Sequence, residues 1–275
     1  PIHSSAASDV YKRQGEVLGV IPAWVRGESD IVGLHGKQGA GGRREVLRDL
    51  DALPDPAWSL CDLSPYAERW RKHHGVWELN IWTARGCPYR CNWCAKPIWG
   101  RSYNVRAPER VAAELHRLMA QHRPDRIWFT DDIFALRPAW LKDFRAALGG
   151  QTLPYRCLSR VDLLVEADYV ADLAATGCDG VWVGAESGSD RVLTAMDKDC
   201  TVADIERARK LLAEHGIRTG FFLQLGYPGE TVADVRTTVD LIARLRPEEI
   251  GVSVSYPMPG TAFYEHVKDL SLIHI

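Results

Sequence analysis

From residue 77 onward two hydrophobic periods alternate along the chain. Short apolar runs at 77–83, 126–130, 155–158, 180–184, 219–225 and 250–255 are bounded by Gly, Pro, Asp or Ser and read as strands. Between them lie segments with apolar residues at helical spacing. The segment 108–122 opens on Pro108 and places Val111, Leu115 and Leu118 on one face. The segment 138–148 closes at Gly149-Gly150, and 166–175 follows the third strand. Helix 205–215 is announced by Thr201-Val202-Ala203-Asp204, which reads as a capping box, and is stopped by Gly216; 232–244 follows the fifth strand. Six βα-type units predict an α/β fold with a parallel sheet covered by helices. A curled sheet of this kind, a full or partial barrel, carries its functional groups on the loops after its strands. The polar and glycine-rich motifs all fall there: 87–94, Asp131-Asp132, Ser159-Arg160, 185–189, 226–230 and 256–261.

Before residue 77 the pattern weakens. Short apolar stretches stand at 17–22 and 31–34, the basic, glycine-rich 36–44 reads as a solvated loop, and Pro54 and Pro56 make 50–58 an extended connector. The two ends carry a different signal. Residues 9–14 can be encoded by GATGTGTATAAGAGACAG, and 270–275 by its reverse complement, CTGTCTCTTATACACATC. Inverted ends of this kind resemble a transposase adapter used in sequencing libraries. Residues 1–14 and 270–275 are therefore expected to be translated adapter, leaving 15–269 as an internal piece of a longer chain.

Composition sets broad limits. At 275 residues, 46% hydrophobic and 25% charged, the chain has the make-up of a globular domain. A net charge of −2 suggests neither a nucleic-acid nor an acidic-membrane partner, and no run of 18 apolar residues suggests a membrane span. Seven cysteines without regular pairing suit a reducing, cytoplasmic setting. Cys61, Cys157, Cys178 and Cys200 show no ligand spacing and read as small hydrophobes. The nine histidines are scattered, and none is assigned as a base.

The remaining cysteines do carry chemistry. Cys87, Cys91 and Cys94, spaced C-x3-C-x2-C on the loop after the first strand, can face one centre. Thiolates are the usual ligands of iron–sulfur clusters, and three of them on a cubane leave one iron open. A structural zinc site wants four donors, and only His73 or His74 folding back could add one. A disulfide framework fits an odd, tightly spaced set poorly.

This loop, with Trp93 just before its last cysteine, resembles the cluster loop of radical S-adenosylmethionine (SAM) enzymes. The resemblance covers about residues 50–265 and implies a partial (β/α)6 barrel. It also implies a [4Fe–4S] cluster whose open iron chelates SAM, and one-electron cleavage of SAM to methionine and a 5′-deoxyadenosyl radical. Trp93 would pack near the adenine. Asp131 and Asp132 would hold the methionine amino end, by a charge-assisted bond, or simply cap the following segment. Glu186, with Ser187 beside it, would meet the ribose or methionine moiety. Arg160 would pair with a carboxylate of SAM or substrate, or else bridge to Asp131, Asp132 or Asp162. Gln224, Gly226 and Tyr256 would approach the adenine, with Gly226 and Gly229 alternatively only shaping the turn. Lys96, Arg101 and Tyr103 would shield the loop.

The linker-like 50–58 resembles the one that precedes the catalytic domain in cobalamin-binding members, such as anaerobic magnesium-protoporphyrin ester cyclases and cobalamin-dependent methyltransferases. On that reading 15–50 is the tail of a cobalamin-binding domain, 51–76 a linker and 77–269 the catalytic core. Cobalamin is then a second cofactor, with methyl transfer or oxidative ring formation on a small-molecule substrate as the outcome. The electron would come from a reductase such as flavodoxin or ferredoxin. A cobalamin-free relative, methylthiotransferase-like or coproporphyrinogen dehydrogenase-like, is the alternative, and a zinc-bearing binding module is a third.

Overall fold

The computed structural model describes residues 20–28, 35–36, 39–40, 46–94, 101–259 and 261–270. The adapter-like stretches 1–14 and 271–275, the apolar 31–34, and Lys96 lie outside the described residues. The chain divides into two compact units, with the boundary between Pro54 and Asp55 in the sequence. In the first, the described elements are short: helix Val20–Val25, the antiparallel pair His35–Gly36 and Gly39–Ala40, and the 3-10 turn Leu50–Ala52. Asp49 starts that turn by accepting from the backbone N–H groups of Asp51 and Ala52 at 3.0 and 3.2 Å.

In the second unit a 3-10 turn, Trp58–Leu60, precedes helix α1, Ser64–His74, and both lie inside the stretch expected to be a linker. Pro65 sits in the first turn of α1, where a missing N–H leaves nothing unpaired, and Gly75 closes the helix with φ of 73°. Only Ala67 of α1 is buried, while Tyr66 and Trp70 are exposed. The helix thus lacks the apolar period by which the others announce themselves.

Six strands follow: β1 Glu78–Ile81, β2 Arg126–Phe129, β3 Tyr155–Ser159, β4 Cys178–Glu186, β5 Arg218–Leu225 and β6 Glu249–Val254. Helix α2, Pro108–His122, links β1 to β2 and α3, Pro138–Leu148, links β2 to β3. Between β3 and β4 lie α4, Val161–Leu164, and α5, Ala167–Ala175; between β4 and β5 lie α6, Asp190–Ala195, and α7, Val202–Glu214. Helix α8, Val232–Leu245, precedes β6, and α9, Ala262–Asp269, follows it. The expected capping box is present: Thr201 accepts from the Asp204 N–H while the Asp204 carboxylate accepts from the Thr201 N–H.

Within this six-stranded sheet every pair is parallel, and the spatial order is the chain order, β1 to β6. A sheet that never reverses its winding has no switch point in mid-sheet, and its curl brings the strand ends around one centre. The architecture is the partial barrel expected from the alternating pattern. On β4, Val181, Val183 and Ala185 are buried in the core, while Trp182 and Gly184 face the lumen. Cross-strand register carries this inward row through Phe222 on β5 to Gly251 on β6. Outside, Phe129, Phe134, Phe144, Trp140 and Tyr155 form an aromatic group, with Phe129 and Phe134 stacked at 4.5 Å.

At the N-terminal end of the barrel each strand supplies one charge or a near neighbour of one. Arg126 bridges Glu78 at 3.0 Å and Asp179 at 2.7 Å; Arg156 bridges Glu78 at 2.7 Å and Glu249 at 3.6 Å; Arg218 reaches Glu249 at 3.4 Å. Arg156 thereby ties β1 to β6, the two edges of the open sheet. The partners are far apart in sequence, and nothing in their local pattern signals the network.

Candidate active site

Local geometry builds the cysteine loop from its base. Asp131, at the end of β2, is buried and turned toward β1. One carboxylate oxygen accepts from the backbone N–H groups of Thr83 and Ala84 at 2.7 and 2.9 Å, and the other meets the Thr83 hydroxyl. Burial pushes the Asp131 carboxyl up to about 7, against the pull of these donors. Just beyond, Ala84–Arg85 pairs antiparallel with Asn104–Val105, closing a loop that carries all three cysteines. Gly86 is required at its start: φ is 86°, and a Cβ there would stand 2.1 Å from the Ser102 carbonyl oxygen.

Groups from the segments that follow β3, β4 and β5 then clamp the loop. Asn92 donates through Nδ2 to the Ala195 carbonyl at 2.7 Å and to Asp197 at 3.0 Å, and accepts from the Tyr227 hydroxyl at 3.0 Å. Arg160, buried after β3, lies with Cζ 3.4 Å from the centre of the Tyr89 ring and Nη1 3.5 Å from the Cys91 Sγ. It also donates to Asp162 at 2.8 Å and to the Lys198 carbonyl at 3.0 Å. Of the carboxylates expected for Arg160, Asp162 is the partner found. Tyr89 donates to the same Asp162 at 2.6 Å, and burial, aided by that carboxylate, pushes its hydroxyl up to about 12.

At the end of β4 a bulge spans Gly184 and Glu186, and Glu186 adopts φ of 59°. A non-glycine residue in that region costs about 1–2 kcal/mol, and here the bulge aims a carboxylate into the lumen. Lys198, buried like Glu186, donates to it at 2.7 Å. Lysine 198 was not foreseen; it stands twelve residues downstream, outside any strand-end motif. A buried pair broken on one side leaves an uncompensated charge. Lys198→Met is expected to lower stability by about 3 kcal/mol in a denaturant titration, and adding Glu186→Gln to restore most of it. Equal losses in the single and double variants would contradict this.

These elements border a cavity of about 480 Å³ lined by residues of β3 to β6 and of the segments that follow β1 and β2. It gathers Cys87, Cys91, Cys94, Trp93, Asp132, Arg160 and Glu186 from the expected site residues, along with Arg101. Asp131, Ser187, Gln224, Gly226 and Tyr256 are not among its lining residues. Asp131 buttresses the loop base instead. Ser187 pairs its hydroxyl with Thr238, the Gly226 N–H donates to Glu230 at 2.5 Å, and Tyr256 is 72% exposed. His73 and His74 are exposed on α1.

The donor set fits an iron–sulfur cluster: three thiols, none in a disulfide, border one cavity, with the Arg160 guanidinium beside Cys91. Among the described residues no three such donors are gathered closely enough for a single metal ion. A cubane does not ask for that, because its irons occupy separate corners and take one thiolate each. Trp93 Nε1, Ser159 Oγ and Gln224 Oε1 are buried without a hydrogen-bond partner among the described residues. Buried polar atoms are normally paired, and Trp93 lines the cavity, so its N–H suits a polar ligand there.

Comparison with known proteins agrees with this chemistry. Residues 83–242 match the family model of the Radical SAM superfamily. An uncharacterized methyltransferase of Pyrococcus horikoshii is 29% identical over 244 residues, covering 86% of this chain and 52% of its own length. The anaerobic magnesium-protoporphyrin IX monomethyl ester cyclase of Cereibacter sphaeroides is 25% identical, covering 82% of this chain and 37% of its own. Among solved structures, the radical SAM methyltransferase TsrM of Kitasatospora setae superposes with a TM-score of 0.75 at 23% identity, covering 94% of this chain and 53% of that one. The chain thus spans about half, or less, of the length of these relatives.

Proposed function

Since the chain belongs to the radical SAM superfamily, we propose that it is the catalytic part of an enzyme that generates a 5′-deoxyadenosyl radical and uses it to abstract hydrogen from an unactivated substrate carbon. One observation carries the reading: Cys87, Cys91 and Cys94 border a single cavity that is also lined by β3 to β6 and by the segment after β2. When bound, a [4Fe–4S] cluster supplies one electron that cleaves SAM to methionine and that radical. The three thiolates would hold it, while Asn92 ties the loop to Ala195 and Arg160 braces it at Cys91. Asp132 and Glu186 offer carboxylates to the ammonium and hydroxyl groups of SAM, and Trp93 offers an apolar face with an N–H that has no partner among the described residues. The barrel wall keeps solvent from a radical that would otherwise be quenched.

Cobalamin belongs to the same proposal. The methyltransferase and cyclase relatives favour methyl transfer or oxidative ring formation as the outcome, and TsrM has been solved with cobalamin and a [4Fe–4S] cluster bound. A reductase such as flavodoxin or ferredoxin would deliver the electron, in the reducing cytoplasm that keeps such thiols free. The test is anaerobic incubation of cluster-loaded protein with SAM and dithionite. Methionine and 5′-deoxyadenosine forming in equal amounts support the reading; intact SAM in a sample with full cluster content overturns it.

A further inference from the structure

Below the cysteine loop the lumen carries an aromatic wall that neither the cluster nor its clamp uses. Trp182 on β4 and Phe222 on β5 stack with ring centres 4.6 Å apart and planes 26° from parallel. Two glycines make room for them. A Cβ at Gly220 would stand 2.5 Å from the Trp182 ring, and one at Gly251 would lie 3.2 Å from Phe222 and 3.3 Å from Trp182. The rings therefore lie across β5 toward β6, flat on backbone rather than among side chains. Phe222 nonetheless remains 39% exposed while lining the cavity. A residue that served only to plug the barrel would be covered. The small pocket beneath, between Trp182 and the charges of Arg126, Arg156 and Glu249, holds only about 10 Å³, so the wall faces upward into the cavity.

Depth separates this wall from the cofactor. Trp182 precedes Glu186 by four residues on the same strand, roughly 13 Å at strand rise, and the cysteines sit at the Glu186 end. A bound cofactor anchored on those cysteines lies between the mouth and the wall, and the molecule that receives the radical must face it from the other side. We propose that Trp182 and Phe222 are the specificity-determining surface of this site, against which the flat, conjugated body of the substrate lies. The proposal rests on the radical SAM reading for the position of the cofactor, but not for the binding of the planar body itself. Stacked or offset aromatic contact adds to simple burial and rewards planarity, whereas a saturated, puckered body of equal volume gains only burial.

Calorimetric titration of the cluster-loaded chain, with and without saturating SAM, tests this. The probes are 1-pyrenemethanol, planar and conjugated, and 1-adamantanemethanol, compact and saturated. The planar probe is expected to bind about tenfold tighter, and Phe222→Leu, which keeps apolar bulk without a π face, to remove most of that preference. Phe222→Tyr is expected to keep it, which separates loss of the ring from loss of fold. Equal affinity for the two probes, or a preference untouched by Phe222→Leu, overturns the proposal. So does competition between pyrenemethanol and SAM, which would assign the wall to the adenine. Failure of SAM cleavage in the wild-type protein would instead strike the radical SAM reading and leave these affinities as they are.

Discussion

Cys87→Ala, Cys91→Ala and Cys94→Ala each abolish SAM cleavage, while Cys200→Ala leaves it intact. Each of the three thiols borders the cavity, and each would hold a different iron, so none can stand in for another. Loss of an outer hydrogen-bonding partner of a metal ligand already costs roughly 10- to 100-fold, so loss of a ligand exceeds about 100-fold. Cys200 lies apart from the cavity lining, and burial pushes its thiol up to about 11, away from the thiolate. Product analysis for 5′-deoxyadenosine at matched protein concentration reads the outcome. Cleavage retained in any of the first three removes that cysteine from the ligand set.

Asp131 is the second place where a single atom decides much. Asp131→Ala leaves the buried N–H groups of Thr83 and Ala84 without an acceptor, at about 1–3 kcal/mol each. The base of the cysteine loop then loosens, and cluster content should fall along with stability. Asp131→Asn behaves differently. Its carbonyl oxygen can take both N–H bonds, and its amide can donate to the Thr83 hydroxyl, so the loop keeps its shape. The pair also separates charge from geometry. Burial raises the carboxyl above its ordinary value to about 7, so the folded state binds the proton more tightly than the unfolded one. That contribution is present below about pH 4 and is lost as pH rises through 7, at most about 1.4 kcal/mol per pH unit. Asp132, Tyr103 and Cys157 are the titratable neighbours that share its environment. Denaturant titrations at pH 5 and pH 7.5 should show Asp131→Asn gaining on the wild type at the higher pH. A constant difference between the two would contradict a buried, proton-holding carboxyl.

The strands and most helices of the barrel were legible because their apolar positions recur at two or 3.6 residues, a period that burial enforces. The cysteine loop was legible because thiol spacing is itself the chemistry. Helix α1 was not: with Ala67 alone buried, its residues carry no apolar stripe to read. Asp131 and Asp132 illustrate a different limit. Consecutive residues at a strand end point opposite ways, and only the fold decides which enters the lumen; Asp132 does, and Asp131 is spent on Thr83 and Ala84. Lys198 and the Arg156 bridge between Glu78 and Glu249 depend on strands meeting far along the chain, so no local pattern could announce them. Trp182 read as one more apolar strand residue until Gly220 and Gly251 showed the room kept for it.

The central claim is that Cys87, Cys91 and Cys94 hold a cluster with one iron open to SAM. Electron paramagnetic resonance of the anaerobically reconstituted, dithionite-reduced protein tests it most directly, recorded with and without SAM. The account predicts a reduced [4Fe–4S] signal whose shape changes when SAM is added. A signal indifferent to SAM, or a well-folded protein that takes up zinc and no iron, would contradict it.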